Sequence, residues 1–255
     1  MKKINRTYLL SITFLTLLTT IIMTIGCGGG GGGSGRQILP GENPTGPITG
    51  TGTGTSTSTG TSTGTGTGTS TGTGTGTGTT VSQKIDSGWA EMSSSNLYGA
   101  ILYFDSAISD SRTTDEQRKQ AYNGRGWAKV KYTRTTDGIS DFIMAGDIPE
   151  SLLGYAMGLV QQSTSDSVSK AVDIFEQLGL GDENAQLQGI EHQIIGITSA
   201  EAHAMLAYAY FWRGQSEDGD KARKQILAAR EVDKSETSTV GQIYNTLKKA
   251  GLTGI

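Results

Sequence analysis

Between Ile48 and Val81 the chain carries no large apolar side chain, and this confines where a packed core can lie. From Thr49 to Thr80 it is almost only threonine, glycine and serine, largely as a Thr-Gly repeat, and Gly28 to Gly33 is an unbroken run of six glycines. Such a segment cannot bury enough surface to offset the entropy of ordering it. The sequence therefore predicts a disordered Gly/Thr/Ser-rich tether over residues 27–81, with a root-mean-square reach of roughly 40 Å. Thr-Gly alternation has the period of a β-solenoid, but glycine at every second position leaves one face with nothing to pack. O-glycosylation of the threonines would stiffen the segment, and nothing in the sequence specifies it. One domain of ordinary size remains, residues 82–255.

The first residues, Met1 to Arg6, are positively charged, and Thr7 to Ile25 is uncharged and apolar or hydroxyl-bearing. That is the layout of a secretory signal, read here as residues 1–26. Thr24-Ile25-Gly26-Cys27 resembles the lipobox of bacterial lipoproteins in its Gly-Cys pair, and departs from it in the threonine where leucine is usual. The resemblance implies lipidation of Cys27, palmitate-type acyl chains on it and anchoring in the lipid bilayer. Gly28, where an inner-membrane lipoprotein commonly has aspartate, leans toward the cell outer membrane. The competing reading is an uncleaved membrane helix, since Thr7 to Ile25 is just long enough to span.

Cys27 is the only cysteine, so an intramolecular disulfide is excluded. From Ser82 onward there are 17 basic and 23 acidic side chains, a net charge of −6. With no basic run, nucleic acid is a poor partner for this domain.

Beyond Ser82, small and aromatic residues recur at helical spacing. Ala100, Phe104 and Ala107 form one motif. Gly138, Phe142 and Ala145 form a second, Ala171, Phe175 and Leu178 a third, and Ala222, Ile226 and Ala229 a weaker fourth. Their starts lie 38, 33 and 51 residues apart. Each follows a helix that mixes small residues with aromatics: Gly88-Trp89-Ala90, Ala121 to Ala128, Gly154 to Leu159, and Ala204 to Tyr210. The pattern resembles the tetratricopeptide repeat family, whose period is about 34 residues. No unit is assigned the proline usual after the second helix, and a related α-solenoid has the same physics. The resemblance implies an all-α, tetratricopeptide-like α-solenoid of about four helical hairpins. Small residues of the first helix admit the second helix closely, and a bulky residue of the second fills the gap to the next unit. The long interval implies an insertion, Asp182 to Ile195, as a short helix or loop. Ser199 is the expected N-cap of the next helix, and Thr239 to Ala250 a C-terminal capping helix.

In that family the first helices line the partner groove. This implies groove positions for Trp89, Asn123, Trp127, Lys131, Leu159 and Tyr208, with the aromatics packing between hairpins as the competing reading. The histidines, His192 and His203, have no metal-ligand spacing, no phosphate loop is recognisable, and no cofactor is expected. The sequence thus points away from an enzyme. It points to a membrane-anchored envelope lipoprotein whose domain is a scaffold for another envelope protein or peptide. The alternative is a solute- or glycan-binding helical lipoprotein, which would have a deep pocket of aromatics and carboxylates in place of an open groove.

Overall fold

The computed structural model describes residues 79–255. The signal, the lipidation site Cys27 and most of the tether lie outside the described residues. Among the described residues there are nine α-helices and no strand, so the all-α class is as expected. In order they are α1 (Val81–Ser93), α2 (Leu97–Ser109), α3 (Asp115–Tyr132), α4 (Ile139–Ala145), α5 (Pro149–Gln162), α6 (Ser165–Gln177), α7 (Ser199–Arg213), α8 (Asp218–Val232) and α9 (Thr239–Ala250). A 3₁₀ turn, Thr135–Gly138, leads into α4, and another, Gln193–Ile195, lies before α7.

Helix starts follow local chemistry. Thr80, Thr114, Thr164 and Thr198 each accept from the backbone N–H three residues on, and that residue's side chain returns the bond. These capping boxes satisfy donors that a helix start otherwise leaves open. Two boundaries differ from expectation. The first described helix starts at the buried Val81, one residue before Ser82, because the threonine that ends the repeat is also its cap. Thr198, not Ser199, caps α7; the hydroxyl of Ser199 accepts instead from the Leu187 N–H at 3.0 Å. Pro149 opens α5 soon after α4 ends, a proline the sequence reading assigned to no unit.

Each helix packs on its neighbours in sequence, and each odd-numbered helix also touches the next odd-numbered one. Two phenylalanines of the even-numbered helices hold this order. A Cβ on Gly88 of α1 would lie 2.6 Å from the Phe104 ring, and one on Gly124 of α3 only 2.3 Å. Likewise Gly126 of α3 and Gly154 of α5 press on Phe142, at 2.6 and 2.4 Å. Each ring is therefore clamped between glycines of two successive odd-numbered helices, and both rings are fully enclosed. Arg125, between Gly124 and Gly126, reaches outward to Asp105 of α2 through Nη1 and to Asp141 of α4 through Nε and Nη2, both nitrogens on one guanidinium edge.

Residues 178–198, between α6 and α7, are almost all turn and loop. Gln225 of α8 donates to the carbonyls of Leu180 and Gly181 at 2.9 and 3.1 Å. His203 of α7 holds the Ala185 carbonyl through Nε2 at 2.8 Å and Gln225 through Nδ1. Leu180 and Ile195 are buried. So anchored, the segment runs back across the start of α5 and meets α1.

Candidate functional site

Where the insertion meets α1, α3 and α5 there is a cavity of about 380 Å³. Its floor is Glu150, the second residue of α5 and only 2% exposed. An ionised carboxylate in such a place needs donors on most of its lone pairs. Asn123 of α3 donates to Oε2 at 2.6 Å, and the backbone N–H groups of Glu191 and His192 donate to Oε1 at 2.8 and 2.7 Å. The His192 ring turns Nδ1 to both oxygens, at 2.9 and 3.0 Å. Burial opposes ionisation of Glu150, but the bonds from the His192 ring and backbone and from Asn123 outweigh it and hold the carboxyl below its ordinary value. Asn123 is fixed in turn by Ser151, whose hydroxyl donates to Oδ1 at 2.9 Å.

The wall is Trp89 of α1. His192 lies flat on it, with ring centroids 3.6 Å apart and planes 10° from parallel. Phe104 meets the same indole edge-on at 5.6 Å. Ile85, Ile148 and Pro149 supply the apolar part of the lining. Asp86, Glu116 and Glu191 bring three more carboxylates, all on exposed residues. Among the described residues, no three histidine, cysteine, aspartate or glutamate side chains converge as metal ligands would.

The six groove positions separate. Trp89 and Asn123 line the cavity together. Trp127, Leu159 and Tyr208 are interior, at 1%, 5% and 3% exposure, and do not form an open ladder. Trp127 is turned inward because Phe142, rising between two glycines, offers its ring an edge-on partner at 5.3 Å. Burial also pushes the Tyr208 phenol above its ordinary value. Lys131 is half-buried near the end of α3, away from the cavity, and burial lowers its ammonium below the ordinary value.

Comparison with protein-family models, with curated proteins and with solved structures finds no match for the chain. The geometry alone therefore carries the site. The sequence reading missed Glu150 as a site residue and gave His192 no partner. Glu150 follows Pro149 in the first helical turn, where an acidic residue is ordinary helix-end chemistry. His192 is 42 residues away, and only the fold joins them.

Proposed function

We propose that this chain is a lipid-anchored envelope protein whose domain, a tetratricopeptide-like stack of four hairpins and a capping helix, is a non-catalytic binding module. Its ligand sits in the cavity between Trp89, Glu150 and His192. Two features support the repeat reading: the glycine-clamped phenylalanines and the run of contacts from each odd-numbered helix to the next. The anchor rests on the Gly26-Cys27 pair and the charged and apolar segments before it. No helix among the described residues is long and apolar enough to cross a membrane.

The observation that carries the binding reading is the preorganised floor. Glu150, Asn123, Ser151 and His192 fix one another in place, and the His192–Trp89 stack adds a rigid aromatic wall. Binding to a preformed site avoids the cost of ordering it. A concave polar cavity, open on one side, favours the solute-binding alternative over a long groove for an extended partner. A second reading, the protein scaffold, is favoured by a separate feature. Tyr98 and Leu102 of α2 and Tyr132 of α3 are at least half exposed, and the two tyrosine rings lie 6.4 Å apart.

The test is a pair of tryptophan variants screened against small solutes, oligosaccharides and peptides. Trp89→Ala is expected to weaken binding by about tenfold or more, read at a temperature where circular dichroism shows the variant folded, since the 9%-exposed indole also contributes to the core. Trp127→Ala is expected to lower stability by about 3–5 kcal/mol, because its side chain is enclosed. Unchanged binding in the Trp89 variant would remove the cavity from the function, and binding lost on blocking the Tyr98–Tyr132 face would favour the scaffold.

A further inference from the structure

The same cavity has a one-sided chemistry. Its lining holds four carboxylates, Asp86, Glu116, Glu150 and Glu191, and no lysine or arginine. Glu150 is supplied with donors by Asn123 and the insertion. Asp86, Glu116 and Glu191 have no cationic partner among the described residues. His192 gives Nδ1 to Glu150, which leaves Nε2, on the opposite edge of its ring, without a partner among the described residues. The charges that line the cavity are thus mostly negative, with the Gln120 amide and the Trp89 indole N–H as neutral donors beside them. Low-dielectric walls focus the field of such charges into the space between them.

We infer that the cavity takes an organic cation, an alkylammonium or guanidinium group, drawn to the carboxylates of Asp86, Glu116 and Glu191 that line it around the Trp89–His192 pair. This rests on the binding reading above and narrows its ligand. The arrangement disfavours the competing classes. An anion meets four carboxylates and no lysine or arginine in the lining. A sugar ring binds by stacking on an open aromatic face, but His192 covers the Trp89 face and the indole is only 9% exposed. A bare metal ion needs converging ligands, which the described residues lack, and about 380 Å³ is far more room than it fills. An ammonium or guanidinium group brings several N–H donors and a carbon stem for Ile85 and Ile148 to cover.

The experiment is calorimetric titration of the purified full chain with four probes: agmatine and cadaverine as free cations, the capped tripeptide acetyl-Ala-Arg-Ala-amide, and maltotriose as a neutral sugar. Binding of a free amine places the ligand among small solutes, and binding of the peptide alone makes it a partner's basic side chain; either supports the inference. Affinity is then expected to fall as salt is raised. It is also expected to fall about fivefold in Asp86→Asn or Glu116→Gln, and further in the double variant. Both residues are exposed, so the fold survives the change. Binding of maltotriose with none of the cations, lost in Trp89→Ala, would overturn the cationic ligand and keep the cavity. Failure of all four probes to bind, or cation binding unaffected by the double variant, would also overturn it. Binding of other solutes in the tryptophan screen then decides separately whether the cavity reading stands.

Discussion

Four glycines of the odd-numbered helices, Gly88, Gly124, Gly126 and Gly154, pack on Phe104 or Phe142, and of these Gly124 has the least room. An added Cβ would meet two atoms of the Phe104 ring at 2.3 Å, and that ring is wholly enclosed. Gly124→Ala gains up to about 1 kcal/mol of helix propensity but costs about 1–3 kcal/mol in overpacking. Net destabilisation is expected in thermal unfolding, with part of it recovered when Phe104→Leu is added. Gly219 of α8 is the control: nothing lies within 4 Å of its Cβ position, so Gly219→Ala should leave stability unchanged or raise it by about 0.5–1 kcal/mol. Glu150 sets the other expectation at this scale. Its carboxyl is held below the ordinary glutamate value of 4.5 in the folded state. A carboxylate with a lowered folded value stabilises the fold above its unfolded value, and the contribution is lost as pH falls through the folded one. Glu150→Gln should therefore lower the free energy of unfolding at neutral pH by about 1–3 kcal/mol, and the gap to the unmodified chain should close as pH falls below 4.5. A gap that stays constant to pH 2 would mean that the ionised carboxylate adds nothing.

At the scale of elements, what could be read in advance was what neighbouring residues decide. The α9 bounds, Thr239–Ala250, follow from its apolar stripe and from Gly251, which stops it at φ +104°. The four repeated motifs came out buried, from Ala100 and Phe104 to Ile226 and Ala229, with Leu178 only partly so, because their helical spacing puts them on one face. The path of residues 178–198 was not legible. It depends on side chains far away in sequence, namely Gln225, His203 and Glu150, and on one backbone feature. Gly189 sits at φ +73°, and a Cβ there would lie 2.7 Å from the Pro149 ring. Gly189→Ala combines a left-handed cost of about 1–2 kcal/mol with that collision. Leu180 and Ile195 remain seated on either side, so the strain should stay local. The expected outcome is faster hydrogen exchange at the Glu191 and His192 amides, whose acceptor is Glu150, and weaker ligand binding with a near-normal unfolding midpoint. Full protection of those amides in the variant would show that Gly189 does not set the strap.

For the molecule as a whole, the cavity matters only where the chain puts it. A domain of net charge −6 has no net electrostatic attraction to an anionic membrane surface, so under the proposed envelope location the anchor would come from elsewhere in the chain. The proposed source is acylation of Cys27, at about 0.8 kcal/mol per buried methylene. Several chains on one residue would hold the protein firmly, and the reach of roughly 40 Å expected for residues 27–81 would set the distance at which a ligand is met. Cys27→Ser separates this from a spanning helix. With the sulfur gone there is nothing to acylate, and the protein should move from the membrane fraction to the soluble envelope fraction, with its circular-dichroism signal and cavity binding intact. An uncleaved helix over Thr7 to Ile25 does not depend on sulfur. Retention of the serine variant in the membrane at its full-length mass would therefore replace the lipid with a span, and would leave the reading of the cavity untouched.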